Sequence, residues 1–493
     1  MFSIILIFDH IERVKIVIFY MVRKRGVMLT YSFDNKGKDS LYEFHYKSIR
    51  DDIVIGKLSP EEKLPSKRAL ADHLNISTIT VENAYNQLVA EGYIYSKPKS
   101  GFYVSPIVSP TIHITPKTNL YPAEETIEDI TSYTVDFSNN STAQESFPFA
   151  TWTKLMRQTM ADKREQLTLN SPSIGIRELR CAISDYLFQF RAMSADPECI
   201  VIGAGTEYLY SLIIQLLGRN KKYALEDPGY RKIAQIYQAN NVDFDYIPLD
   251  ESGVDTSALK KSSADVLHIS PSHHFPTGIV TPASRRYELL SWASEEDGRY
   301  IIEDDYDSEF RFSGRPIPSL QSIDNLDKVI YINTFSKSLT STIRISYMVL
   351  PKELMERYRK ELSFYSCTVS NFEQYTLASF IQQGYFEKHI NRMRNYYRTH
   401  RDRVMTAIRN HPLYEKVSIK EEDSGLHFLM SVDTEITDEE LSDKARNKGV
   451  NITCLSRYYH NRDTAPEHTL IINYSGLDKD RVDEAVAKLF ECI

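Results

Sequence analysis

Lys337 lies in Asn333-Thr-Phe-Ser-Lys-Ser, directly behind an apolar run with strand character, Lys328 to Ile332. An amine that leaves a strand end can project into a crevice and add to an aldehyde. A second such run, Arg299 to Glu303, leads into Asp304 and Tyr306, a carboxylate and a phenol with the same exit. A third, Cys199 to Ile202, enters Gly203-Ala-Gly-Thr-Glu. There Gly205, Thr206 and Glu207 open a helix whose backbone N–H groups suit a phosphate. Ser336 offers a hydroxyl and Arg344 a two-pronged fork to the same anion. Tyr230, in Glu226-Asp-Pro-Gly-Tyr, supplies a flat ring. A lysine for an imine, a carboxylate for a ring nitrogen, a donor for a ring oxygen, a phosphate cradle and a stacking ring are what pyridoxal phosphate asks of a protein. Singly these features are commonplace. Together, in this order and at strand ends, they point to that cofactor.

Far upstream, residues 64 to 92 carry a different chemistry. Ser66, Lys67 and Arg68 open one short helix, where N–H groups and basic side chains suit phosphate. Asn75-Ile-Ser is a tight turn, and Ser77, Thr78 and Thr80 open the next helix with hydroxyls that reach bases or backbone. Lys97 and Lys99 stand at the tip of a hairpin read over Tyr93 to Val104. Helix, helix, turn, helix and hairpin make a winged helix-turn-helix, a double-stranded DNA reader.

The elements that must position these groups follow from periodicity. Leu41, Phe44, Ile49 and Ile53 recur at helical spacing and stop at Gly56, while Val81, Ala84, Tyr85 and Leu88 stripe the recognition helix. Residues 105–134 lose periodicity and scatter Pro106, Pro110, Pro116 and Pro122 among polar residues, which reads as a linker. From 135 to 493, apolar strands alternate with helices, predicting a mainly parallel α/β sheet with its ligand at the carboxyl ends of the strands. Residues 1–40 read as an extension, with Met28 a plausible start and no uninterrupted apolar span.

At 493 residues the chain exceeds one core, and its 42% hydrophobic and 26% charged content is that of a globular protein. The net charge of -8 confines any nucleic-acid surface to a local patch. Five scattered cysteines without a Cys-x-x-Cys pair predict a cytoplasmic protein with neither a disulfide framework nor a metal site.

The segment Leu41 to Val104, with Leu-Pro-Ser-x-Arg, Leu-Ala, Ala-Tyr and Leu-x-x-x-Gly, resembles the DNA-binding domain of the GntR superfamily. It departs in having Thr78 where an Arg often follows the turn serine. From Leu169 onward, Asn170-Ser-Pro-Ser-Ile-Gly-Ile-Arg-Glu-Leu-Arg, Pro271-Ser-His-His-Phe-Pro-Thr-Gly, Glu303-Asp-Asp-Tyr and Thr334-Phe-Ser-Lys-Ser-Leu resemble the fold-type I aminotransferases. The whole chain is similar to the MocR/GabR subfamily. That resemblance implies a homodimer, a pyridoxal-phosphate-binding effector domain, and family roles for Lys337, Asp304, Tyr306, Tyr230, Ser336 and Arg344.

Two departures bear on chemistry. Phe275-Pro-Thr-Gly stands where the enzymes have Asn-Pro-x-Gly, so His273 or His274 is the candidate to support the ring oxygen. Leu470-Ile-Ile-Asn-Tyr lacks the arginine that grips a substrate carboxylate, leaving Arg457, with Arg231 or Lys232, as candidate replacements. The expectation is a regulator that senses pyridoxal phosphate or a small amino compound, with little or no steady turnover. The alternative is an aminotransferase with a DNA-binding appendage.

Overall fold

The computed structural model describes residues 29–31, 39–106, 133–139, 146–312, 318–420 and 425–493. The expected extension before residue 41 and the expected linker fall mostly outside these. The chain divides into two compact units, residues 1–128 and 129–493.

In the smaller unit, α1 (Leu41–Val54) starts where the Glu43 carboxylate accepts from the Ser40 N–H at 3.0 Å. The helix α2 (Lys67–Leu74) starts at Ser66, whose Oγ accepts from the Ala69 N–H, and ends at Asn75 in the left-handed region, φ 54°. Ser77 caps α3 (Thr78–Ala90) in the same way as Ser66 caps α2. Strands β1 (Ile94–Lys97) and β2 (Gly101–Val104) pair antiparallel, Ile94 opposite Val104. Ile49, Ile53, Leu70, Val81, Tyr85, Leu88, Ile94 and Val104 close one small core. The helix stripes thus meet the wing's one apolar edge.

The larger unit is built on an eight-stranded sheet. In chain order its strands are β3 (Ile200–Gly203), β4 (Tyr223–Asp227), β5 (Phe244–Asp250), β6 (Gly253–Val254), β7 (Val266–Ile269), β8 (Tyr300–Asp304), β9 (Val329–Thr334) and β10 (Ser346–Val349). Their spatial order is β3-β10-β9-β8-β7-β4-β5-β6. The run β9, β8, β7, β4, β5 is parallel. Strand β10 runs against both its neighbours, so β3 points the same way as β9. The expected parallel sheet therefore carries an antiparallel strand inside it and a second, β6, at its edge. Strands β3, β7, β8 and β9 are buried at every residue, which is why they read as continuous apolar runs. Strand β5 holds Pro248 and is only partly buried, so its sequence resembles a loop.

A second, four-stranded antiparallel sheet joins β11 (Val417–Lys420), β12 (His427–Val432), β13 (Thr453–Cys454) and β14 (Thr469–Asn473) in the order β11-β12-β14-β13. It packs with the helices Tyr385–Arg409 and Val482–Cys492 around its own core, including Phe428, Tyr397 and Leu489. Among the described residues no helix is long and apolar enough to cross a membrane.

Candidate cofactor site and DNA-reading surface

Because six strands of the large sheet point the same way, the residues after β3, β4, β7, β8 and β9 converge on one edge. Asp304 ends β8, and side-chain alternation sends its neighbour Asp305 to the opposite face. Asp305 is locked there: Arg191 Nη2 donates to it at 2.8 Å, the Tyr331 hydroxyl at 2.6 Å and Ser308 Oγ at 2.8 Å. Asp304 faces a cavity of about 860 Å³. The Tyr210 hydroxyl donates to Asp304 Oδ2 at 2.5 Å, while Asp304 Oδ1 is buried with no hydrogen-bond partner in the structure. Burial pushes this carboxyl up to about 7, against the opposing hydrogen bond from Tyr210.

Behind Asp304 stands His268, its Nε2 4.0 Å from Asp304 Oδ2 and its Nδ1 2.9 Å from the Tyr237 hydroxyl. Burial pushes the imidazole down to about 3, so it is neutral at physiological pH. Neither Tyr210 nor His268 is singled out by the sequence reading. Tyr210 had a signal, since it lies four residues past Thr206 on one helix face. His268 had none beyond its place in a strand.

Lys337 sits on the single helical turn Phe335–Ser338, whose first residues are fixed by Thr334 Oγ1 accepting from the Ser336 N–H. Burial lowers its amine to about 8. Lys337, Ser336, Thr206, Glu207, Tyr230, Asp304, Tyr306 and Arg344 all line the cavity. Gly205, at φ +93°, caps the helix α4 (Thr206–Leu217), and a Cβ there would lie 2.2 Å from Arg344 Nη2. The guanidinium therefore rests on the glycine, beside the first N–H groups of the helix. Glu207 is shared: Arg344 Nη2 donates to Oε2 at 3.0 Å and Lys232 makes a short contact to Oε1. Lys232 first, helped by Arg344, holds this carboxyl below its ordinary value. Tyr230 is half-exposed and meets Phe275 edge to face at 5.9 Å.

Two expectations change. His273 does not line the cavity; it is buried behind Tyr306, its Nδ1 3.2 Å from the Tyr306 hydroxyl and 2.8 Å from Asp307 Oδ2. Its influence on a ring oxygen runs through Tyr306. His274 turns to Thr277 Oγ1 at 2.7 Å, with Nε2 3.5 Å from Glu226. Arg457 is likewise absent from the lining. It belongs to the 3₁₀ turn Leu455–Tyr458, in which residues three apart share a face. Leu455 and Tyr458 take the inward face, so Arg457 is exposed. From this segment the cavity takes Tyr458, Tyr459, His460 and Arg462, with Arg231 and Lys232 opposite in sequence.

On the smaller unit, Arg68, Thr78 and Lys99 are exposed. Lys67 is held by Glu82 at 2.7 Å and Lys97 by Glu61 at 3.2 Å, over the Tyr103 ring. Ser77 and Thr80 hydroxyls bond each other at 2.8 Å. With Ser66, whose hydroxyl caps its helix, five of the eight predicted DNA contacts thus have partners within the chain. Exposed pairs of this kind are worth about 0–1 kcal/mol and exchange readily for phosphate.

Comparison with known proteins completes this picture. The family of bacterial regulatory proteins, gntR family, matches residues 41–104, and aminotransferase class I and II matches residues 134–489. The chain is 38% identical to the uncharacterized HTH-type transcriptional regulator YdeL of Bacillus subtilis, covering 91% of this chain and 96% of that one. This chain belongs to the MocR/GabR subfamily of gntR-type regulators. The regulator is also 29% identical to the probable rhizopine catabolism regulatory protein MocR of Rhizobium meliloti, over 90% of this chain and 92% of the relative. Its larger unit superposes on the kynurenine aminotransferase of Pyrococcus horikoshii with a TM-score of 0.64 and 25% identity, covering 73% of this chain and 90% of that one. The cofactor of the regulator is pyridoxal phosphate. Its residues fit the group: a buried carboxylate oxygen without a partner for the ring nitrogen, a helix start under an arginine for the phosphate, and an amine made less basic by burial.

The amine sets a pH dependence. With a value of about 8 in the folded protein, the neutral fraction of Lys337 falls roughly tenfold per pH unit below that point. Covalent capture of the cofactor is expected to slow about fiftyfold from pH 8 to pH 6, read as the growth rate of the visible band after mixing. A rate flat across that range would contradict the assignment of the amine as the limiting group.

Proposed function

We propose that this transcription regulator binds operator DNA as a cytoplasmic homodimer and senses a small amino compound, or pyridoxal phosphate itself, in the cavity around Lys337. The observation that supports the sensing reading is what the cavity contains and lacks. Cofactor residues are all present, but Ile471, in the strand where the enzymes place an arginine, is buried against Leu429, Leu455, Phe275, Tyr458 and Tyr459. No cation stands on that strand to align a substrate carboxylate.

When bound, pyridoxal phosphate supplies an electrophilic carbon and an electron-withdrawing ring. The protein's own groups do the rest. Asp304, oriented by Tyr210 and backed by neutral His268, would hold a proton on the ring nitrogen. Tyr306, supported from behind by His273, would donate to the ring oxygen. Lys337 would supply the covalent tether and give it up to an incoming amine. The helix start at Gly205, with Ser336 and Arg344, would retain the phosphate throughout. An amine that replaces Lys337 frees a buried side chain at the end of β9, and differential affinity of this kind is what shifts a two-state equilibrium.

The test is a visible spectrum of the purified full chain titrated with primary amines and amino acids. A band that shifts with one compound, without accumulation of keto acid, supports a sensor. Steady turnover at about 1 per second or faster would assign an aminotransferase instead. Arg231→Ala and Arg462→Ala are expected to weaken the response to carboxylated amines by up to about fivefold, the range of an exposed ion pair, while leaving cofactor uptake unchanged.

A further inference from the structure

The recognition helix of the smaller unit exposes a feature that packing does not explain. Ile79, in the first turn of α3, is 68% exposed. Its neighbours Val81, Ala84, Tyr85 and Leu88 account for the whole inward face of that helix. Asn83 follows Ile79 by four residues and is also exposed. Residues four apart stand one above the other on a helix surface. Ile79 and Asn83 therefore form one outward ridge, flanked by the exposed Thr78 hydroxyl.

Four neighbouring polar groups are engaged elsewhere. Ser77 and Thr80 cap the helix and each other, Glu82 is held by Lys67, and Gln87 donates to Glu91 at 2.5 Å. Asn83 carries no hydrogen bond to any described side chain that would turn it away. An exposed aliphatic group and an exposed carboxamide have distinct partners in the major groove. The former contacts the thymine methyl, and the latter pairs bidentately with adenine N6 and N7. Four helical residues rise about 6 Å, the span of about two base steps of duplex.

We propose that Ile79 and Asn83 are base-specificity residues of this regulator, reading a thymine and an adenine within two base pairs of each other in each half-site. The inference rests on the DNA-binding reading above and adds to it which bases are chosen and by which side chains. Basic contacts such as Arg68 and Lys99 position the unit but are blind to sequence. Thr78 lacks the fork that would favour guanine, so the helix start carries no competing preference for a G·C pair.

The test is selection of random 30-base-pair duplexes by the full chain loaded with cofactor, repeated with Asn83→Arg and Ile79→Ala. Both positions are exposed, and circular dichroism of each variant checks that the helices remain. The wild type is expected to enrich half-sites with the thymine–adenine pair. Asn83→Arg is expected to exchange that adenine for guanine, with a preference of about tenfold or more. Ile79→Ala is expected to relax the thymine position alone. A motif that is enriched but unchanged in both variants overturns the proposal and leaves DNA binding intact. Failure of the wild type to enrich any motif overturns both this proposal and sequence-specific regulation. A motif without the thymine–adenine pair overturns the proposal alone.

Discussion

Lys337→Ala is expected to abolish the visible band of the cofactor-loaded protein while leaving its fold and its DNA binding in place. The side chain projects from a single helical turn fixed by Thr334, and burial already disfavours its charged form. Removing the amine therefore costs little packing and relieves an electrostatic penalty. The covalent link disappears with it, because an alanine methyl has no lone pair to add to a carbonyl. DNA contacts lie in the smaller unit, so duplex affinity is expected to stay within about twofold at fixed salt, since that affinity is set by phosphate neutralisation there. The measurements are absorbance after dialysis and anisotropy of a labelled duplex. A borohydride-reducible adduct surviving in the variant would place the link on another lysine.

Asp304→Asn is expected to act in opposite directions on the two forms of the protein. In the loaded form it removes the partner of a protonated ring nitrogen. Breaking one side of a buried ion pair costs about 3–5 kcal/mol, which is at least two orders of magnitude in cofactor affinity. In the cofactor-free form it removes a carboxylate that burial disfavours. The folded value of about 7 lies above the ordinary carboxylate value. The folded state therefore holds a proton that the unfolded chain has lost, and stability falls as pH rises between the two. That penalty is complete above pH 7 and absent near pH 4. The cofactor-free variant should melt higher than the wild type at pH 8 and at the same temperature at pH 4. Equal melting at pH 8 would show that Asp304 is not burdened as described.

The cofactor residues were legible because they lie at the end of an apolar strand or within a few residues after it, and a strand end is visible in one sequence. Asp304, Lys337 and the Gly205 turn all declared themselves in this way. What was not legible depends on contacts distant in sequence. Lys67 reads as a phosphate grip until Glu82, fifteen residues on, takes its amine. Arg457 reads as a clamp until the phase of a four-residue 3₁₀ turn decides that Tyr458 faces inward. His273 and Asp307, joined across 34 residues, give no local sign that they stand behind Tyr306. The second sheet was missed for a related reason, since β13 is only two residues long and owes its register to β14.

The back-to-back carboxylates at the end of β8 have a consequence for how this architecture can diverge. Asp305 is bolted by Arg191, Tyr331 and Ser308 on the face away from the cavity. The outer wall of the cavity comes from residues 229–232 and 458–462, on other stretches of chain. Substitutions in those stretches leave the bolt untouched. The anchorage and the wall can therefore drift independently, and a descendant could acquire a new taste in small molecules without first losing its grip on the old prosthetic group.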